Sequence, residues 1–290
     1  MSVNADAQGN VYLTGEFGSG LDYDTEAPPG NHYFFTSGIS DQDVFAIKLN
    51  TDGKLIWARQ IGGAGGQWTS GSVVDAGGNL YLIGDHSEHT DFDPDKNGQY
   101  IITTPDGWIN NVFVEKLDSA GRFKWVRQVN SNSYCIGEAI NLAPDGSLYA
   151  TGGFNKQIYV EPNGIPDTLS VDNGRMFIHK MDTAGQSIWI RQLSAFSTAA
   201  AADLNGNCYL IGRFSGVADF DPSPDQSFIL ASNGGSDIFI QKTDPFGNLA
   251  WAKQIGGMLD DMPGDIAVDP LGNIYITGYF QGSVDFNAGA

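Results

Sequence analysis

The sequence has little positive charge: 15 Lys and Arg stand against 34 Asp and Glu, for a formal net charge of −19. A surface so acidic repels phosphate backbones, which excludes nucleic acid as a partner. No apolar run approaches the roughly 18 residues a helical bilayer crossing needs, so no membrane span is expected. Only two cysteines are present, Cys135 and Cys208. They lie far apart without metal-ligand spacing, which excludes a disulfide framework, and they read as small buried thiols. Helical periodicity is missing throughout, and the N-terminus shows no charged stretch followed by an apolar one, hence no signal peptide. Because both ends look cut, that lack does not argue for a cytoplasmic home.

What is there is a chain of 290 residues with 41% hydrophobic and 12% aromatic content, ample for a core and inconsistent with disorder. Its organisation comes from self-similarity. The segment Gly9-Asn10-Val11-Tyr12-Leu13-Thr14-Gly15 returns from Gly78 to Gly84, Gly146 to Gly152, Gly206 to Gly212 and Gly272 to Gly278. A second marker is Trp57, Trp125, Trp189 and Trp251, each four residues after a glycine. A third is Phe45, Phe113, Phe177 and Phe239, each three residues before a lysine. All three keep one order, which places repeats at about 1–70, 71–137, 138–197, 198–260 and, in part, 261–290.

Each repeat reads as four short strands. An apolar run such as Ile266-Ala267-Val268-Asp269 meets a Gly-Asn turn, and the Tyr strand follows, ending at Gly. After a longer loop comes a strand such as Val44–Leu49, in which Phe45, Ile47 and Leu49 share one face. A Thr51-Asp52-Gly53 turn then leads into Leu55–Ile61. Asp/Asn-Gly turns between β-branched and aromatic runs are hairpin signals. Four antiparallel strands per repeat predict an all-β chain of β-propeller blades, four full repeats plus a half repeat. The expectation is one domain over 1–290, read as a segment of a larger propeller, with a five-blade ring ending in a stunted blade as the alternative.

The consensus is Gly-Asn-x-Tyr-x-Thr-Gly-x-Phe, then Asp-Phe, then Asp-x-Phe-x-x-Lys, then Gly-x-x-x-Trp. It closely resembles the bacterial SBBP-type beta-propeller repeat over nearly the whole chain, with the best copies at Asp43–Ile61 and Gly206–Gly257. The resemblance implies a propeller carried on large secreted or surface proteins, and so an extracellular or cell-surface location. The third repeat departs most: Ser147 replaces the turn Asn, Tyr159-Val160 stands for Asp-Phe, and Ser194-Ala195 replaces the Gly pair seen at Gly62-Gly63 and Gly256-Gly257. A looser likeness joins Asp118…Trp125, Asp182…Trp189 and Asp244…Trp251 to the tryptophan-docking motif of quinoprotein propellers. There, Trp residues lock neighbouring blades; the quinone chemistry is not carried.

A residue present in every repeat is explained by blade architecture, since a single active site must break the pattern. Lys48, Lys116, Lys180 and Lys242 are therefore read as seam residues, as are Gln60, Gln128, Gln192 and Gln254. Function belongs to departures and long loops. Asp91-Phe92-Asp93-Pro94-Asp95 and Asp219-Phe220-Asp221-Pro222 have two readings. Alternation puts their carboxylates on one side, where they can share Ca²⁺; or the carboxylates cap turn amides while Phe plugs the blade edge. His86 and His89, with Asp91 just beyond, can hold Zn²⁺ or Cu²⁺, or serve as ordinary loop residues. Trp68 and Trp108 stand outside the Trp repeat. With Tyr134 and Tyr33-Phe34-Phe35 they suit stacking on a sugar or gripping a protein, or plain loop anchoring.

No catalytic residue is assigned: Ser-His-Asp order, a phosphate loop and Cys-His pairing are all missing. The expected function is a non-enzymatic interaction or display scaffold that binds a protein or glycan through its loops, with Ca²⁺ stiffening as an option. Missing blades or neighbouring domains of a parent chain are expected as well. The alternatives are a glycan-active hydrolase or lyase on the same blades, and a purely structural spacer.

Overall fold

The structure, a computed structural model, describes residues 1–23, 34–37, 42–95, 97–104, 110–160, 167–171, 175–223 and 225–286. These residues are all strands, turns and loops. Among the described residues, no helix is long and apolar enough to cross a membrane. The chain falls into two compact units, Met1–Gly137 and Glu138–Ala290.

The first unit holds two blades. Blade 1 is Ser2–Ala5, Val11–Gly18, Gln42–Leu49 and Leu55–Ala64; blade 2 is Gln67–Val74, Leu80–His86, Asn111–Leu117 and Phe123–Ser131. The second unit holds blade 3, whose strands are Cys135–Leu142 (running across the unit boundary), Leu148–Phe154, Arg175–Met181 and Ser187–Leu193. Blade 4 follows as Phe196–Ala202, Cys208–Asp219, Ile229–Thr243 and Leu249–Gly257. Each blade is antiparallel in sequence order. A fifth repeat contributes the two-stranded sheet Met262–Val268 and Ile274–Tyr279.

Two turns per repeat fix the hairpins. In the first, Asp6 Oδ1 accepts from the backbone N–H of Gln8 at 3.0 Å and of Asn10 at 2.9 Å, and Gly9 takes φ 79°. A side chain there is strained, which is why the turn is written with Gly. Burial pushes the Asp6 carboxyl pKa up, but hydrogen bonds from Asn10, Lys48 and Gln8 outweigh it and hold the value at about 2. The same Asp-to-amide cap recurs at Asp75, Asp203 and Asp269. The second turn joins the third and fourth strands, with Gly53 at φ 78°.

Register repeats as faithfully as sequence. Tyr12 faces Lys48, Tyr81 faces Lys116, Tyr149 faces Lys180 and Tyr209 faces Lys242 across the second and third strands. In every blade the register slips just after that lysine. Such a bulge bends the strand and sharpens its twist.

The cores lie between blades. In the first unit Val44, Ala46, Trp57 and Ile61 of blade 1 pack on Leu80, Leu82, Phe113 and Leu117 of blade 2. In the second unit Met176, Ile178, Trp189 and Leu193 pack on Leu210, Phe214, Phe220 and Phe239. Blade 4 in turn covers Ile266 of the fifth repeat. Burying each such side chain is worth about 1.5–3 kcal/mol. Cys135 and Cys208 are both buried free thiols, Cys208 within the core of the second unit. The loops also carry small hairpins that alternation did not predict, such as His89–Asp91 with Ile101–Thr103 and Gln157–Val160 with Asp167–Ser170.

Candidate functional site

The repeated polar residues hold the blades together. Lys48 Nζ lies 3.3 Å from Asp6 Oδ2, sits 4.7 Å over the Tyr12 ring and donates to the Ser119 carbonyl of blade 2 at 3.4 Å. Trp57 Nε1 donates to that same carbonyl at 3.1 Å, and Arg59, over the Trp57 ring, donates from Nε to Gly121 O at 2.7 Å. The second unit repeats the device: Trp189 Nε1 and Lys180 Nζ both donate to Pro245 O, at 3.0 and 3.2 Å. Trp189→Phe keeps the apolar fill and removes one hydrogen bond. It should lower stability by about 1 kcal/mol, read as a lower denaturation midpoint.

The glutamines brace the loop-bearing end. Gln60 donates to Asp43 Oδ2 and Gln254 to Asp237 Oδ2. Each carboxyl lies over the first glycine of a pair, where a Cβ would stand 2.3 Å from Asp43 at Gly62 and 2.2 Å from Asp237 at Gly256. The second glycine admits the next repeat's loop: a Cβ on Gly63 would meet His89 O at 2.1 Å. That close approach explains the Gly pair, and the loop strand His89–Asp91 pairs there with Gly62–Ala64.

The Asp-Phe-Asp-Pro loops fold as caps around a plug. Asp91 Oδ1 accepts from the backbone N–H of Asp93 and Tyr100, and Asp219 Oδ1 from that of Asp221 and Phe228. Asp93, Asp95 and Asp221 each accept from the N–H two residues on. Phe92 and Phe220 are fully buried, 5.1 Å from Phe113 and 5.0 Å from Phe239 between ring centres. Each loop walls a groove against the preceding fourth strand. One, of about 660 Å³, runs along Tyr23, Phe35, Arg59, Gln60, Asp91 and Asp93. Its counterpart, of about 720 Å³, runs along Arg191, Gln192, Asp219, Asp221 and Pro222. The two are the same place in two repeats.

His86 stands where other blades have Phe17, Phe154 or Phe214. It packs edge-on against Phe92 at 5.2 Å, with Nδ1 on Thr90 Oγ1 and Nε2 on Gln128. Burial drops its pKa to about 4, so the ring is neutral. His89 is exposed and bonds Thr103 Oγ1. The two histidines serve different neighbours, and among the described residues no three of His, Cys, Asp and Glu converge as metal ligands.

Trp68, read among the loop aromatics, lies inside the first strand of blade 2 opposite Asp85, with its ring over Gly66. Tyr134 is exposed just before Cys135–Leu142. Trp108 and Tyr33 lie outside the described residues, while Phe35 stacks on Phe17 and Tyr23.

Two sets of residues escaped the sequence reading. The first follows the closing glycine of each Tyr strand: Glu16, Asp85, Gly153, Arg213 and Tyr279. Asp85 is buried, accepts from Asn110 Nδ2 at 2.8 Å, and is pushed up to about pKa 7 by burial and then by Glu16. The second lies two residues after the repeated Phe: Ile47, Glu115, His179 and Gln241. Both carboxylate oxygens of Glu115 and both amide atoms of Gln241 are buried without a hydrogen-bond partner. Polar variation beside an unvarying residue was the signal available for both.

Residues 250–279 match the model of the SBBP family, a beta-propeller repeat. The chain is 23% identical, across 98% of its length, to a WD repeat-containing protein of Acanthamoeba polyphaga mimivirus, covering 25% of that protein. It is 27% identical across 68% of its length to the regulatory protein FlaEY of Caulobacter vibrioides, covering 20% of that protein. The chain thus spans a quarter or less of the curated relatives it matches. Blades, seams and match agree on the fold: the chain is all-β and built of β-propeller blades, and its residues 250–279 are similar to the SBBP repeat.

Proposed function

We propose that this chain is a non-enzymatic interaction scaffold of a secreted or surface-exposed bacterial protein, docking a protein partner along its loop-bearing blade edges. The observation that carries the reading is the pair of equivalent grooves beside Asp91–Asp93 and Asp219–Asp221. A single active site breaks a repeat, whereas a docking surface uses it twice. Rigid repeated sites raise avidity without new contacts. The acid loops and the net charge of −19 favour a basic partner. The WD repeat-containing relative fits an interaction role.

One feature favours a second reading, a glycan-active enzyme: the buried Asp85 carboxyl is pushed up to about pKa 7 by burial and then by the charge of Glu16. A carboxyl tuned to that range suits general acid catalysis. Both readings meet one experiment, an array of cationic, neutral and acidic peptides beside bacterial surface oligosaccharides, probed with the intact chain. The scaffold reading expects salt-sensitive binding to cationic peptides, weakened at least about tenfold by Asp93→Asn with Asp221→Asn. Cleavage of an oligosaccharide that Asp85→Asn abolishes, without peptide binding, would instead establish the enzyme.

A further inference from the structure

We propose that the groove of the first unit, beside Asp91 and Asp93, is a subsite for an arginine side chain of the partner, and that its counterpart in the second unit is not. The inference rests on the docking reading above and names what one of the two grooves selects.

The groove has two unlike walls. One is aromatic: Tyr23 and Phe35, both part-exposed, lie 4.4 Å apart between ring centres with their planes 34° apart. Behind them Phe35 stacks on the buried Phe17 at 6.0 Å, which fixes the direction the wall faces. Pairing of Leu21 with Phe35 and of Asp22 with Phe34 holds the backbone that carries it. The other wall is acidic: Asp91, Asp93 and Asp95. The hydrogen bonds these three accept run through Oδ1, from the backbone N–H of Asp93, Tyr100, Asp95 and Asn97. Among the described residues, Oδ2 of each takes no hydrogen bond and is left for a ligand.

No cation in the groove answers that charge. Arg59 lines it, but its guanidinium lies over the Trp57 ring and donates to the carbonyls of Gly121, Ala120 and Ala58, at 2.7, 3.1 and 2.8 Å. In the seam, Glu115 is fully buried with both oxygens unpartnered, and burial, then the charges of Asp93 and Asp91, push its pKa up. The field of the acid wall is therefore uncompensated on its protein side too. A partner's cation supplies the missing charge, and a planar one uses both walls at once. A guanidinium lies flat on an aromatic ring while its edge donates in a fork to a carboxylate. A lysine ammonium, compact and more strongly hydrated, gains less from the ring.

The counterpart groove lacks both features. Its acid wall is Asp219 and Asp221, with Ser223 in the place of Asp95, and among the described residues no aromatic side chain lines it. Leu169 contributes its apolar surface instead. Equivalent in position, the two grooves differ in what they hold.

The probe is the blocked peptide Gly-Ser-Arg-Ser-Gly, with versions carrying lysine or citrulline at its centre, titrated by calorimetry into the full chain at low salt. Arginine should bind about tenfold more tightly than lysine. Citrulline, which keeps the shape and loses the charge, should bind at least about tenfold more weakly than arginine. Asp93→Asn keeps the Oδ1 cap on Asp95 and should weaken arginine binding about tenfold. Phe35→Leu keeps the wall apolar and should bring arginine down to the lysine level. Equal affinity for arginine and lysine, or an arginine preference that survives Phe35→Leu, overturns the subsite and leaves the basic-partner reading standing. Citrulline matching arginine overturns it as well, and the three peptides settle these points on the unaltered chain. Binding of neither cationic peptide overturns both readings.

Discussion

Phe239→Ala should destabilise the second unit by about 3–5 kcal/mol, the range for removing a fully buried aromatic ring. The size follows from where the ring sits. Phe239 is fully buried, touches Phe220 at 5.0 Å and closes over Gly212, in a core that also holds Met176, Leu193 and Leu210. Its neighbours come from paired strands on both sides, so they cannot collapse into the space, and the cavity term adds to the lost transfer energy. The matched control is Phe280→Ala, where the same aromatic position is half exposed and the expected change stays within about 0.5 kcal/mol. Denaturant unfolding followed by intrinsic fluorescence measures both. Similar losses for the two would mean that the fifth repeat is covered in solution, and a loss under about 1 kcal/mol for Phe239→Ala would deny it a place in the core.

The contrast between these two phenylalanines also marks what a single sequence can reveal. The hairpins were legible because Asp-x-x-Gly turns and alternation act within a few residues: Gly9 and Gly53 need left-handed backbone, and Phe45, Ile47 and Leu49 share a face by period alone. The seams were legible because Lys48 and Trp57 recur with their partners. Neither groove was, since each forms only when a loop folds back on the previous blade's last strand, as His89–Asp91 does on Gly62–Ala64. The Gly pair was noticed in sequence, yet its reason, a carbonyl 2.1 Å from a would-be Cβ at Gly63, is tertiary. Trp68 shows the same limit: it was read among loop aromatics, but the strand begins at Gln67 because the backbone pairs with Leu80–His86. His86 in a Phe position was a departure for which the sequence left metal ligation and an ordinary loop role both open. The structure gives it Thr90, Gln128 and two aromatic neighbours.

Glu115 carries the other large effect, and its sign depends on pH. Burial, and then the charges of Asp93 and Asp91, push its pKa well above the ordinary carboxyl range. The folded chain therefore holds Glu115 protonated over a range where the unfolded chain releases the proton. Stability from this group is intact below the unfolded pKa, near 4.5, and is lost as pH rises towards the folded pKa. The loss is about 1.4 kcal/mol per pH unit across that window. Glu115→Gln removes the titration while keeping size and shape, and Gln241 shows that the equivalent seam position accommodates a buried unpaired amide. The variant should gain on the parent steadily as pH rises from 5 to 8, because only the parent loses stability across that range. His86 and His179, each lowered to about pKa 4 by burial, titrate with the opposite sign. They are common to both proteins and cancel in the difference. Urea midpoints measured in parallel from pH 5 to 8 give that difference directly. A flat profile would mean that Glu115 is charged and paired in the folded chain, and that the seam between blades 1 and 2 is wetter than its packing implies.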